Sequence, residues 1–211
     1  MYIPKAFAAP GPDAVAELLR ASGAADLVTC TADGFDATPV PFVHDPEPGP
    51  HGRLLGHLAQ NNPQWRAGLD GGAPALAIVR GPDAYVTPTW YASKREHGRT
   101  VPTWNYVTAH LHGRLVAHDD AAWTEDAVRR LTELHEARRA EPWSVDDAPR
   151  AFTEGQLRAI VGVELLIERV EAKWKLSQNR SDADRDGVEA GLRTEPAPGA
   201  RAVADAMART R

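Results

Sequence analysis

The chain has 211 residues, 43% of them hydrophobic, and a single cysteine, so it is long enough to bury a core and cannot form an intrachain disulfide. Its formal net charge of -5 gives no general attraction for phosphate backbones, and nucleic-acid binding would have to rest on a local basic patch. No run approaches the roughly eighteen apolar residues of a membrane-spanning helix, and the start MYIPKAFAAPGP lacks a signal-peptide pattern, so a cytoplasmic protein without a membrane partner is expected.

In chain order, PDAVAELLRASG, Pro12 to Gly23, has apolar residues at helical spacing, an early acid and a stop glycine, which predicts an amphipathic helix. DLVTCTADGFDATPVPFVHD holds two β-rich runs around Asp33-Gly34, a tight-turn pair, and predicts a hairpin. His44 to Gly52 is rich in Pro and Gly and predicts a loop, followed by a strand over RLLGHLAQ and a short helix over NPQWRAGLDGG. APALAIVR and the residues after Gly81-Pro82-Asp83 read as two strands joined by a turn. In VPTWNYVTAHLHG, strand alternation sends Val107, Ala109 and Leu111 to a core face and Trp104, Tyr106, Thr108, His110 and His112 to the other. Two rings that large usually seek a partner to cover them: core, a second subunit or a ligand.

Ala121 to Ala140 has Val128, Leu131 and Leu134 at helical intervals with Arg and Glu between, which predicts a surface helix. A second helix is expected from about Pro149 to Ala159, then a long strand over IVGVELLIERVEAKWKL. Ser181 and Asp184 form an N-cap pattern for another helix, and the end of the chain reads as a loosely attached amphipathic helix. About six strands with short turns, and helices between them, predict an α+β chain with several antiparallel strands built on a barrel.

Neither a dinucleotide-binding glycine turn nor a P-loop is present, so any phosphate must be held by side chains. Cys30, in VTCTA, reads as a small buried hydrophobe rather than a nucleophile. His110 and His112 share a strand face but lack a Cys or carboxylate at ligand spacing, so no metal site is assigned. Three clusters combine cations with amides. GHLAQNNPQW places His57, Gln60, Asn61 and Asn62 where a strand meets a helix start, a position that suits an anion or simple capping by Asn62. TPTWYASKREHGRT puts Lys94, Arg95 and Arg99 in a solvated loop. KWKLSQNRS gathers Lys173, Lys175, Ser177, Gln178, Asn179 and Arg180 with no acid in the run.

Taken together, MYIPKAF, GHLAQNNPQW, YVTPTWYASK, VPTWNYVTAHLHG and KWKLSQNRSDADRDGV closely resemble the PaiB family of FMN-binding negative transcriptional regulators, from Met1 to about Leu192. The resemblance implies an antiparallel split β-barrel with peripheral helices, like that of the pyridoxamine-phosphate-oxidase and flavin-reductase group, usually as a homodimer with flavin in a groove. It implies residues 1–176 as the FMN-binding domain and 177–211 as a helical extension packed on it. The phosphate is then expected near His57, Gln60, Asn61 and Asn62, and the isoalloxazine beside Trp104, Asn105 and Tyr106. The oxidase relatives carry cations at the phosphate position, where this chain has QNNPQW; Lys175 and Arg180 are the candidates to replace them, and Gln178 is a further expected cofactor contact.

The leading expectation is a dimeric FMN-binding regulator, acting indirectly or through a partner. A flavin-dependent oxidoreductase or flavin reductase is the alternative, with the hydride chemistry belonging to the cofactor, and a haem-binding protein of the same fold is the second. A catalytic acid or base is not identified. The helix WTEDAVRRLTELHEARRA carries Arg129, Arg130, Arg138 and Arg139, but its interleaved glutamates match a solvated helix, so direct DNA reading is disfavoured while a DNA or regulatory-protein partner stays open.

Overall fold

The computed structural model describes residues 1–31 and 34–210. Among the described residues, seven strands, β1 (Ala24–Thr31), β2 (Gly34–Pro41), β3 (Val43–Asp45), β4 (Arg53–Ala59), β5 (Ala73–Val86), β6 (Thr103–His118) and β7 (Ile160–Lys175), form an antiparallel sheet in the order β2-β1-β5-β6-β7-β4-β3, which is not closed. Six helices accompany it among the described residues: α1 (Pro12–Ser22), α2 (Ala92–His97), α3 (Ala121–Glu136), α4 (Arg150–Leu157), α5 (Asp182–Thr194) and α6 (Ala200–Ala208). The α+β antiparallel expectation holds. Among the described residues, no helix is long and apolar enough to cross a membrane.

The chain divides into two compact units. Unit 1 comprises Met1–Leu18, Arg80–Ala109 and Glu171–Arg211, and unit 2 comprises Leu19–Val79 and His110–Val170. The long strands β5, β6 and β7 each supply residues to both.

In unit 2, β1 and β2 pair from Ala24↔Pro41 to Thr31↔Gly34, so the expected hairpin is present; Asp33, half of its expected turn pair, lies outside the described residues. Leu27, Val40, Leu58, Leu115 and Val163 form a buried cluster, with Trp65, Ala75 and Ala117 packed against it. Each such side chain contributes about 1.5–3 kcal/mol by leaving water. Cys30 is exposed, contrary to the expectation of a buried thiol. Period-two alternation explains it: Ala25, Leu27 and Thr29 take the buried face of β1, and Cys30 points the other way. His44 and Asp45 belong to β3, a short strand paired with β4 inside the segment expected to be loop.

In unit 1, the alternation expected for β6 is seen: Asn105, Val107 and Ala109 are buried while Trp104 and Tyr106 are not. The expected turn at Gly81-Pro82-Asp83 is absent, because β5 runs through it without a break. Gly81 serves close approach instead; a Cβ there would lie 2.9 Å from side-chain atoms of Leu18 and Val107. The C-terminal helix is also no loose appendage. Ala200, Val203, Ala204, Ala206 and Met207 of α6 are all at most 2% exposed. Gly187 and Gly191 give α5 a flat flank on which Trp90 lies, since a Cβ at Gly191 would sit 2.3 Å from its ring. Glycines inside a helix cost about 1 kcal/mol each relative to alanine, which the close contact with Trp90 offsets.

Candidate functional site

In unit 1 the end of β7 meets the start of β6, and the donors of KWKLSQNRS meet the aromatics of VPTWNY. Lys175 donates to the Thr103 hydroxyl and to the Trp104 carbonyl, the latter at 2.6 Å. Its ammonium lies 6.0 Å from the Tyr106 ring centre, and that of Lys173 lies 5.4 Å from the same ring. Lys173 is 8% exposed; it donates to the Tyr2 carbonyl at 3.1 Å and faces the Tyr2 ring at 5.7 Å. Alternation along β7 is what sends Lys173 and Lys175 to one side of the strand. Arg180 follows a tight turn closed by its N–H on the Ser177 carbonyl at 3.0 Å, and its guanidinium stacks over the Tyr91 ring at 4.8 Å.

Among the described residues, no carboxylate forms an ion pair with Lys173, Lys175 or Arg180. Burial, reinforced by the charges of Lys173 and Arg180, pushes the Lys175 ammonium below the usual lysine range. Asp184, the acid whose titration Arg180 influences, is engaged elsewhere: it accepts from the Ser93 backbone at 2.9 Å and from the Ser93 hydroxyl at 2.8 Å. Burial opposes its ionisation, yet those hydrogen bonds and the Arg180 charge hold its carboxyl below its usual range. Burial also raises the Tyr91 phenol, against the pull of Arg180.

Asn105 and Gln178 have structural partners within this region. Asn105 is fully buried on the core face of β6, with its amide nitrogen 3.0 Å from the Ser177 hydroxyl and 3.6 Å from the Met207 sulfur. Gln178 folds back on the strand end, accepting from the Leu176 N–H at 2.7 Å and donating to the Trp174 carbonyl at 2.6 Å. Trp104 is half-exposed, its indole N–H donating to Asp83 at 2.8 Å, and it meets Tyr85 edge to face at 6.1 Å. Lys94 and Arg95 lie on α2, a short helix stopped by left-handed Gly98, where a loop was expected.

In unit 2, His57 sits on β4 opposite Gly162. Burial pushes its imidazole below the usual range, and among the described residues its buried Nδ1 has no hydrogen-bond partner. Gln60 and Asn61 are exposed beyond the strand end. Asn62 caps the 3-10 turn Pro63–Gly68 by accepting from the Gln64 N–H at 3.0 Å, and it also donates to the Thr38 hydroxyl at 3.0 Å. Gln64, which sequence reasoning did not single out, is 2% exposed and reaches the Leu27 carbonyl at 3.0 Å and the Thr29 hydroxyl at 3.2 Å; only its place after an Asn-Pro pair signals a fixed turn. Tyr91 and Lys173 in unit 1 were likewise not among the expected ligand contacts.

Among the described residues, the region around Tyr106 therefore offers cations without an ion-paired carboxylate, the Thr103 hydroxyl and half-open rings. That donor set fits a flat aromatic ligand carrying a phosphate.

Comparison with known proteins points the same way. Residues 1–169 match the family described as "Putative FMN-binding domain". The chain is 31% identical over 209 residues, 98% of its length and 96% of the relative's, to the Bacillus subtilis (strain 168) protein named "Protease synthase and sporulation protein PAI 2". It is 33% identical over 183 residues, 72% of its length and 73% of the relative's, to the uncharacterized protein AN0679 of Emericella nidulans. Among solved structures, the FAD and heme binding protein from Mycobacterium smegmatis shares the fold with a TM-score of 0.60 at 21% identity, covering 87% of this chain and 79% of that one. The conserved hypothetical protein Rv2991 from Mycobacterium tuberculosis does so with a TM-score of 0.58 at 10% identity, covering 85% and 92%. These two likenesses bear on the split-barrel fold alone; the sequence matches show that this chain belongs to the FMN-binding PaiB family.

Proposed function

We propose that the protein binds FMN with its phosphate received by Lys173, Lys175 and Arg180, and that it is a cytoplasmic homodimer whose regulatory role is indirect or runs through a partner. The observation that carries the phosphate assignment is three neighbouring cations with which, among the described residues, no carboxylate forms an ion pair. Like charges raise one another's energy, and a phosphate relieves that repulsion while gaining charge-assisted hydrogen bonds. The Tyr106 ring and the half-exposed Trp104 supply flat apolar surface for an isoalloxazine. Bound flavin supplies electron and hydride chemistry; these side chains supply binding, orientation and charge. In unit 2, Gln60 and Asn61, exposed beyond the strand that carries His57, are a separate candidate for an anionic ligand.

A relative named for protease synthesis and sporulation supports a regulatory role. Indirect action is supported by the arginines of α3: Arg129 is taken up by Glu125 and Asp146, at 2.8 and 2.7 Å, and Arg130 by Asp45 at 3.0 Å. The homodimer is supported by Tyr85 and Trp104, which touch edge to face and are 49% and 50% exposed in unit 1, apolar ring surface that a second copy would cover.

Titration of the purified protein with FMN and with riboflavin tests the assignment. FMN is expected to bind at least tenfold more tightly, since a buried phosphate contact is worth roughly 1.5–3 kcal/mol. Equal affinities would remove the cation cluster from the site. Light scattering on the same sample is expected to give about twice 22.9 kDa, and a monomer would remove the dimer.

A further inference from the structure

Ser177 is one of two non-glycine residues with positive φ among the described residues, at 64°, and it lies where β7 gives way to the turn that carries Arg180. A side chain in this left-handed region is disfavoured unless its surroundings hold it there. Here the holding contacts are visible. Ser177 is 4% exposed, and its hydroxyl sits 3.0 Å from the amide nitrogen and 3.2 Å from the amide oxygen of Asn105, which is itself fully buried. Met207 of α6 closes the other side of that amide at 3.6 Å. From the same residue the chain makes its turn, with the Arg180 N–H on the Ser177 carbonyl at 3.0 Å, while Gln178 is pinned to Trp174 and Leu176. Lys173 and Lys175 precede Ser177 on the strand and Arg180 follows the turn, so the conformation of this one residue sets where the third cation stands relative to the first two.

We propose that Asn105 and Ser177 are positioning residues: the buried amide holds Ser177 in its left-handed conformation, and that conformation converges Lys173, Lys175 and Arg180 on one anion. This rests on the reading of the cluster as the phosphate receptor. Asn105 thus acts on the cofactor without touching it, which separates its role from that of its strand neighbours Trp104 and Tyr106. Glycine could adopt the same φ without help; here a serine adopts it because the buried amide holds it there. A serine tied to a buried amide closes the turn and keeps it closed.

The test uses the full chain. FMN and riboflavin affinities are measured by fluorescence titration for the natural protein, Asn105→Ala, Ser177→Ala and the double variant Asn105→Ala/Ser177→Gly. The two single variants are expected to lose roughly tenfold in FMN affinity with little change for riboflavin, because the phosphate contacts alone are dispersed. The double variant should recover most of the loss, since glycine accepts the left-handed conformation without the amide. A second readout needs no flavin: the pH profile of Lys175 acetylation by acetic anhydride, followed by mass spectrometry. Burial and Lys173 stay in place in these variants, so moving Arg180 away should shift the profile of the single variants only part of the way toward ordinary lysine, and the double variant should move it back. A Lys175 profile unchanged in folded Asn105→Ala and Ser177→Ala overturns the positioning role, as does failure of the glycine to restore either readout. Equal FMN and riboflavin affinity in the natural protein would instead defeat the phosphate reading, and the acetylation profiles would still decide whether Asn105 and Ser177 hold the cations together. If Asn105→Ala does not fold, Ser177→Ala, which keeps the buried amide, decides both readouts.

Discussion

A cluster of arginines and acids in unit 2 and a cluster of two lysines and an arginine in unit 1 treat positive charge in opposite ways. In unit 2 the cations are cross-paired: Arg53 bridges Asp45 and Glu164 at 3.1 and 2.9 Å, Arg130 shares Asp45, and Arg129 and Arg150 converge on Glu125. In unit 1 Lys173, Lys175 and Arg180 are grouped around Tyr106 and Tyr91, and among the described residues no carboxylate forms an ion pair with them. The direction of titration follows the difference. Hydrogen bonds to Glu164 and Asp45 outweigh burial and raise Arg53, whereas burial and like charge lower Lys175. A paired cation is part of the scaffold; a crowded, unpaired one is held ready for an anion from outside. Counts of basic residues along a sequence do not separate the two cases, and the partners do.

The sharpest way to break this comparison is to orphan a charge in the scaffold. Glu164 is 7% exposed and joins Arg53 to His118, whose Nε2 lies 3.0 Å from its other oxygen and whose ring stacks on Trp123 at 3.8 Å. Glu164→Ala leaves Arg53 with Asp45 alone, in a partly buried place. A loss of about 2–4 kcal/mol in stability is expected, read as a lower urea midpoint with unchanged slope. FMN affinity of the folded variant should stay within about twofold of the natural protein. A large drop in affinity at full stability would mean that the scaffold charges also serve the ligand.

Much of this division could be read before the fold was known, and the parts that could not share a physical cause. The alternation of β6 was legible because Val107 and Ala109 are apolar at every second position, and the start of α5 was legible because Ser181 caps it, with the Asp184 N–H on its hydroxyl at 3.3 Å. The cation cluster was legible as composition. What stayed hidden depended on neighbours distant in sequence. Gly81-Pro82 has the chemistry of a turn, yet the ladder of β5 with β1 covers only Ala75 to Ile78, and past it an extended proline is tolerated on an edge without that partner. The amphipathic face of α6 was legible, but its burial was not, because what covers that face, such as Asn105 against Met207, comes from residues distant in sequence. Asn105, expected at the ligand, stands on the opposite face from Trp104 and Tyr106, as alternation alone requires.

In unit 1 the expected losses fall on binding rather than folding. Lys175→Ala and Arg180→Ala should each weaken FMN binding by about 1.5–3 kcal/mol and leave riboflavin binding nearly unchanged. The stability of the empty protein should hold or rise, since each change removes a like-charge neighbour. The pH dependence sharpens the point, and its sign is fixed by the lowered Lys175. Below its folded pKa the lysine is charged in both states and costs the folded state energy. Between that pKa and the ordinary value of 10.5 the unfolded chain keeps a proton that the folded chain has released, so stability of the empty protein rises with pH through that window. FMN affinity should fall through the same window, because the cation is lost, while riboflavin affinity stays flat. Parallel loss of both ligands would place the effect on the ring site instead, and Lys175→Ala should abolish the FMN-specific component of the slope.

The smallest expected effect is on DNA. If the arginines of α3 are scaffold, Arg129→Ala and Arg130→Ala should lower stability slightly and change DNA binding not at all. Specific recognition normally exceeds non-specific binding by roughly 10³-fold and relies on a helix or ribbon presented to a groove. The guanidinium of Arg129 is instead bidentate to Asp146, at 2.7 and 2.9 Å, and also donates to Glu125, while Arg130 is bound to Asp45. To reach phosphate, each would first have to leave a carboxylate, exchanging one charge-assisted contact for another with little net gain. Fluorescence anisotropy at physiological salt, with promoter fragments against random competitor, is expected to show only weak, salt-sensitive binding, the same for the natural protein and both variants with or without FMN. Nanomolar binding that resists competitor and collapses in Arg129→Ala would overturn the division of charge between the units. Binding that appears only with oxidised or only with reduced flavin would keep the division and move the regulatory contact to unit 1, where the unpaired cations are.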